Sequence, residues 1–110
     1  MQIEKKVIEQ MFVDMRGRAP WNVDGPSLWG YFFVGDADKL KATSASLVRI
    51  GYRFVEIYQD ENGRTHLHLE RVEAHTPESL HVRNLELDNL AKQFGVEYDG
   101  FDVGAPPVSV

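Results

Sequence analysis

Asn62 and Gly63 stand between two runs, Tyr52 to Tyr58 and Thr65 to Glu73, that are rich in aromatic, aliphatic and β-branched residues. An Asn-Gly pair readily takes the positive-φ conformations of a tight hairpin, so it fixes the two runs as antiparallel neighbours. The second run alternates. Leu67 and Leu69 fall on one face, and His66, His68 and Glu70 on the other. A sheet with one apolar face follows, and that face needs helices to cover it.

Helical patterns flank the hairpin. Before it, Asp36 or Asp38 can cap a helix over residues 37–50, with apolar positions Leu40, Ala45, Leu47, Val48 and Ile50 and a stop at Gly51. After it, Thr76-Pro77-Glu78 sets a capping hydroxyl, a first-turn proline and a first-turn acid in the order a helix start favours. Leu80, Leu87, Leu90, Ala91 and Phe94 give that helix a buried side, and Gly95 ends it. The run Leu28 to Val34 is apolar or aromatic on both parities, which predicts a central strand buried on one face and partly covered on the other. Val96-Glu97-Tyr98 predicts a short last strand ahead of a tight turn at Asp99-Gly100-Phe101-Asp102.

The order β-α-β-β-α-β is that of the ferredoxin-like split βαβ sandwich, an α+β fold in which two helices cover one face of a four-stranded antiparallel sheet. An additional N-terminal helix is expected over about residues 2–16. Ile3, Val7, Met11 and Met15, with Ile8 and Phe12 beside them, form its apolar stripe, and Gly17 and Pro20 end it. Residues 1–20 are thus read as helix and linker, and 21–110 as the domain proper, together a single folded unit. The sheet's second face must be covered by that helix, by another subunit or by a ligand. Packing of the helix on its own chain is expected, with a homodimer through it as the competing arrangement.

Composition narrows the function classes. With 110 residues there is room for one core, and the absence of cysteine excludes a disulfide framework, a thiol nucleophile and cysteine-ligated metals. Neither a signal peptide nor a membrane span is read from the N-terminus or the short apolar runs, so a cytoplasmic location is expected. A net charge of −5 argues against broad contact with phosphate backbones, so a protein partner is expected in place of a nucleic acid or a membrane.

Two polar constellations carry chemistry in principle. His66, His68 and Glu70 share a strand face at two-residue spacing, and with Asp102 they could build a small metal-dependent or acid–base site. Same-face neighbours along a strand lie about 7 Å apart, too loose for one ion without other segments, so an exposed polar face is the ordinary reading. Asp99, Asp102 and Glu97 could act as paired carboxylates, although the Asp-Gly step is equally what a turn requires. No Gly-rich phosphate loop, dinucleotide fingerprint or nucleophile elbow is present, so no cofactor, metal or catalytic residue is expected. Trp21, Trp29, Tyr31, Tyr52, Tyr58, Tyr98 and Phe101 are many for a small domain, and about half should fill the core. The expected docking surface is the open sheet face, with Trp29, Tyr31 and Phe101 joining His66, His68, Glu70, Asp99 and Asp102.

Several stretches carry a family resemblance: Leu90-Ala91-Lys92-Gln93-Phe94-Gly95-Val96-Glu97-Tyr98-Asp99-Gly100, then Trp29-Gly30-Tyr31-Phe32-Phe33, Gly51-Tyr52, and Leu67 to Thr76. Across about residues 21–104 the chain resembles a proteobacterial branch of the RraB family, small bacterial regulators of ribonuclease E activity. The resemblance implies a ferredoxin-like fold, a cytoplasmic location and inhibition of an endoribonuclease by protein–protein contact. The namesake carries a long acidic C-terminal extension. This sequence ends at Ala105-Pro106-Pro107-Val108-Ser109-Val110 with no acid after Asp102.

Overall fold

In the computed structural model, which describes residues 3–107, the elements run α1 (Lys5–Arg18), β1 (Ser27–Val34), α2 (Ala37–Val48), β2 (Arg53–Gln59), β3 (Thr65–Glu73), α3 (Pro77–Phe94) and β4 (Glu97–Gly104). The four strands form one antiparallel sheet in the order β2-β3-β1-β4, the order of a ferredoxin-like α+β sandwich. The expected helix start at residue 2, and Val108, Ser109 and Val110, lie outside the described residues.

Local chemistry sets the boundaries. Asp36 caps α2 by accepting from the backbone N–H groups of Asp38 and Lys39. Thr76 and Ser79 close a reciprocal capping box at the start of α3, and Gly95, at φ 71°, ends it in the left-handed region. The hairpin closes as predicted through Gly63, at φ 79°, whose N–H donates to the Asp60 carbonyl.

One face of the sheet is apolar and covered. Trp29, Tyr31 and Phe33 of β1, Leu67 and Leu69 of β3 and Tyr98 of β4 pack with Leu40 and Leu47 of α2 and Leu80, Leu87 and Ala91 of α3 in one buried cluster. The N-terminal helix joins the same layer. Its Ile8 and Phe12 are fully buried, Phe12 lies 6.1 Å from the Trp29 ring, and Lys5 pairs with Glu78 of α3 at 3.5 Å. Helix α1 therefore packs on its own chain beside α3 and leaves the second sheet face uncovered. Among the described residues no helix is long and apolar enough to cross a membrane.

Three local expectations are corrected. The buried side of α1 is centred on Ile8 and Phe12, with Ile3, Met11 and Met15 packed against the same core, while Val7, turned about 100° round the helix from Ile8, is 56% exposed. The last strand is eight residues long where a short strand and a turn were expected. Gly100, at φ 107°, permits a bulge at Asp99: Phe33 pairs with Tyr98 and Phe32 with Gly100, so the strand continues past the Asp-Gly step instead of turning. A second bulge falls at Val55 of β2, between Phe54 opposite Leu69 and Glu56 opposite His68.

Candidate functional site

The uncovered face is a grid that the strand registers fix. Partners across antiparallel strands point the same way, so the row Tyr58, His66, Val34 and Glu97 is followed by Glu56, His68, Phe32 and Gly100. The next row is Arg53, Glu70, Gly30 and Asp102, and the last holds Val72, Leu28 and Gly104.

Two imidazoles lie flat against aromatic rings on this face. The His68 ring stacks on Phe32 with centroids 4.4 Å apart and planes at 18°, and His66 stacks on Tyr58 at 4.9 Å and 9°. His66 Nε2 also meets the Asp60 carboxylate at 2.7 Å. Hydrogen bonding from His66 and from the backbone of Arg64 and Asn62 holds the Asp60 carboxyl below the usual aspartate range. Arg53 pairs with Glu70 at 2.6 Å. Gly30 lets these groups close over the strand: a Cβ there would run into the Asp102 carboxylate and sit 2.9 Å from His68 Nε2. Asp102 and Glu56 are exposed and have no hydrogen-bond or ion-pair partner among the described residues.

The expected site residues divide accordingly. The structure brings His68, Glu70 and Asp102 around Gly30, places His66 one row away, and leaves Asp99 exposed in the β4 bulge. Trp29, Tyr31 and Phe101 do not share that face. They have the opposite parity, Trp29 and Tyr31 are fully buried, and Phe101 packs 6.0 Å from Trp29 in the helical layer. The placement of these three on the docking face is therefore corrected: their size and apolarity are used by the core. The four residues of the metal or acid–base alternative do not converge, since His66 is held by Asp60 and Glu70 by Arg53. Among the described residues no group of three or more His, Cys, Asp or Glu side chains is placed to hold a metal ion.

A second polar constellation, which the sequence did not single out, lies beneath the covered face. The Tyr31 hydroxyl donates to Glu73 Oε2 at 2.6 Å, His75 Nε2 meets the same oxygen at 2.8 Å, and Arg83 Nη2 donates to Glu73 Oε1 at 2.9 Å. His75 Nδ1 lies 2.9 Å from Ser79 Oγ, and the Trp29 indole donates to the Glu73 carbonyl at 3.0 Å. A cavity of about 380 Å³ borders this group, lined by Glu73, His75, Ser79, Val82, Arg83 and Glu86 with Ala74. Burial opposes ionisation of Glu73. Hydrogen bonds from His75 and Tyr31, with the charges of His75 and Arg83, outweigh it and bring the carboxyl down to about 2. Burial pushes the Tyr31 hydroxyl far above the usual tyrosine range, so it stays a donor. Ser79 Oγ also accepts the Thr76 N–H of the capping box, so the Ser79-His75-Glu73 chain ties β3 to the start of α3. The sequence signal for it was present only in part: Glu73 and His75 end the alternating strand immediately before the helix cap.

A family model described as RraB, regulator of ribonuclease activity B, covers residues 5–103, from the start of α1 to within β4. No curated protein matches the chain.

Proposed function

This chain belongs to the RraB family of regulators of ribonuclease activity, and from that premise we propose that it acts on a ribonuclease of the E type by protein–protein contact, without catalysing a reaction itself. The contact surface in this reading is the open sheet face carrying Phe32, His68, Glu70 and Asp102. The observation that supports it is the position of α1, which packs beside α3 and leaves that face uncovered among the described residues.

Edge pairing is the other way a sheet binds a protein, and both edges argue against it. Strands β2 and β4 each carry a bulge, at Val55 and Asp99, which twists an edge away from a straight incoming strand. Size is consistent with face docking. Four strands about 4.8 Å apart and some eight residues long span roughly 500 Å² in projection. Side-chain relief and the rim bring this toward the ~800 Å² that each partner contributes to a standard interface.

The test is a cleavage assay with purified ribonuclease E and an RNA substrate, with this chain added in increasing amounts. Cleavage should slow as the chain is titrated in, and the two proteins should co-elute on sizing. Unchanged cleavage together with separate elution contradicts the proposal.

A further inference from the structure

We infer that the open sheet face takes a cationic, arginine-bearing segment of its protein partner, with a guanidinium paired to the exposed Asp102 carboxylate beside the Phe32–His68 stack. This rests on the reading above that the face docks a protein, and it adds the chemistry of what is docked.

The argument is one of charge complementarity. The cation within the face, Arg53, is already paired with Glu70 at 2.6 Å, and His66 with Asp60 at 2.7 Å. Two carboxylates remain unmatched, Glu56 and Asp102, both exposed and without a partner among the described residues. They lie in adjacent rows on either side of His68 and Phe32. An incoming cation therefore meets uncompensated negative charge in two places, and an incoming anion meets none of the opposite sign to hold it.

The shape of the face selects between the two common cations. Because Gly30 has no side chain, the exposed Asp102 carboxylate lies against the centre of the face beside His68 Nε2. Beside it the Phe32 and His68 rings lie near parallel, 4.4 Å apart. A guanidinium is planar, stacks on ring faces and forks onto a carboxylate, whereas an ammonium is a compact and strongly hydrated point charge. Arg53 already meets Glu70 in this same row through a single Nη2–Oε1 contact of 2.6 Å.

The probes are an oligoarginine and an oligolysine peptide of equal length, titrated into this chain while backbone amide shifts are followed by NMR. Shifts should concentrate on Gly30, Phe32, His68, Glu70 and Asp102, and oligoarginine should bind the tighter. Glu56→Gln/Asp102→Asn should weaken binding about tenfold or more. The charge-matched control Glu9→Gln/Asp14→Asn on α1 should leave it unchanged. Equal loss in the control, or shifts scattered over the surface, overturns the inference. Open-face shifts that change on dilution without peptide also overturn it, since they show a second copy of the chain as the occupant. Phe32→Ala separates the two levels: if it abolishes ribonuclease E binding while the acid variants do not, the docking face stands and its cationic ligand falls.

Discussion

The Phe32 ring lies 4.4 Å from the imidazole of His68 on the face that no helix covers. One strand position away on either side, Tyr31 and Phe33 point into the core and are fully buried. The alternation of β1 thus assigns neighbouring aromatics to different tasks. Phe32→Ala should cost about 1 kcal/mol of stability or less, because the ring is partly exposed and supports no helix. Partner affinity should fall by about 2 kcal/mol or more, as for a central aromatic anchor. Urea unfolding and calorimetric titration measure the two effects separately.

Trp29 is the opposite case. It is fully buried, touches Phe12, His75 and Phe101, and donates to the Glu73 carbonyl. Trp29→Ala should cost about 3–5 kcal/mol, a large share of the stability of a small domain. Phe12→Ala should act more locally. Hydrogen exchange in α1 should accelerate well before exchange in β3, because Phe12 is one of only two residues that α1 buries fully.

Glu73 makes stability pH-dependent in a defined direction. Its carboxyl ionises at about 2 in the folded chain, against an ordinary value of 4.5. The unfolded state therefore takes up the proton first as pH falls. The stabilisation from Glu73 is present in full above about pH 5, shrinks below it and is gone near pH 2. Glu73→Gln should lower stability at neutral pH by about 2–3 kcal/mol, since Arg83 loses a partly buried counter-charge and Tyr31 a charged acceptor, and should flatten this acid limb. Thermal unfolding of both proteins from pH 7 to pH 3 checks it.

Gly30 sits where any side chain would meet the Asp102 carboxylate and His68. Gly30→Ala should displace both, at a cost of about 1–3 kcal/mol. The His68 ring signals should move as its stack on Phe32 opens, which NMR of the histidine side chains would show. Unmoved His68 signals would mean that these two groups do not close over Gly30.

The fold was legible because its punctuation is local. Asn62-Gly63, Thr76-Pro77 and Gly95 each act on the residues beside them, and the hairpin strands and α3 that they bound form where expected. The β4 bulge was not legible, since Asp-Gly serves a turn and a bulge equally well, and only pairing with β1 decides between them. The candidate site was half legible for a related reason. Alternation put His66, His68 and Glu70 on one face of β3, but β1 is apolar on both parities, so nothing local told Phe32 from Trp29 and Tyr31. Register tells them apart: Phe32 faces His68, and Tyr31 faces Leu69. The Glu73 network joins residues up to 44 positions apart and has no local signature beyond the end of β3.

If the uncovered sheet face is the working surface, two double variants should differ sharply in their affinity for ribonuclease E. Phe32→Ala/Asp102→Asn alters the open face, and Val7→Ala/Val13→Ala alters the exposed side of α1. The first should lose binding by about a hundredfold with its fold intact, and the second should bind as the unaltered chain does. Full affinity in the first variant, with binding lost in the second, would contradict that role of the face.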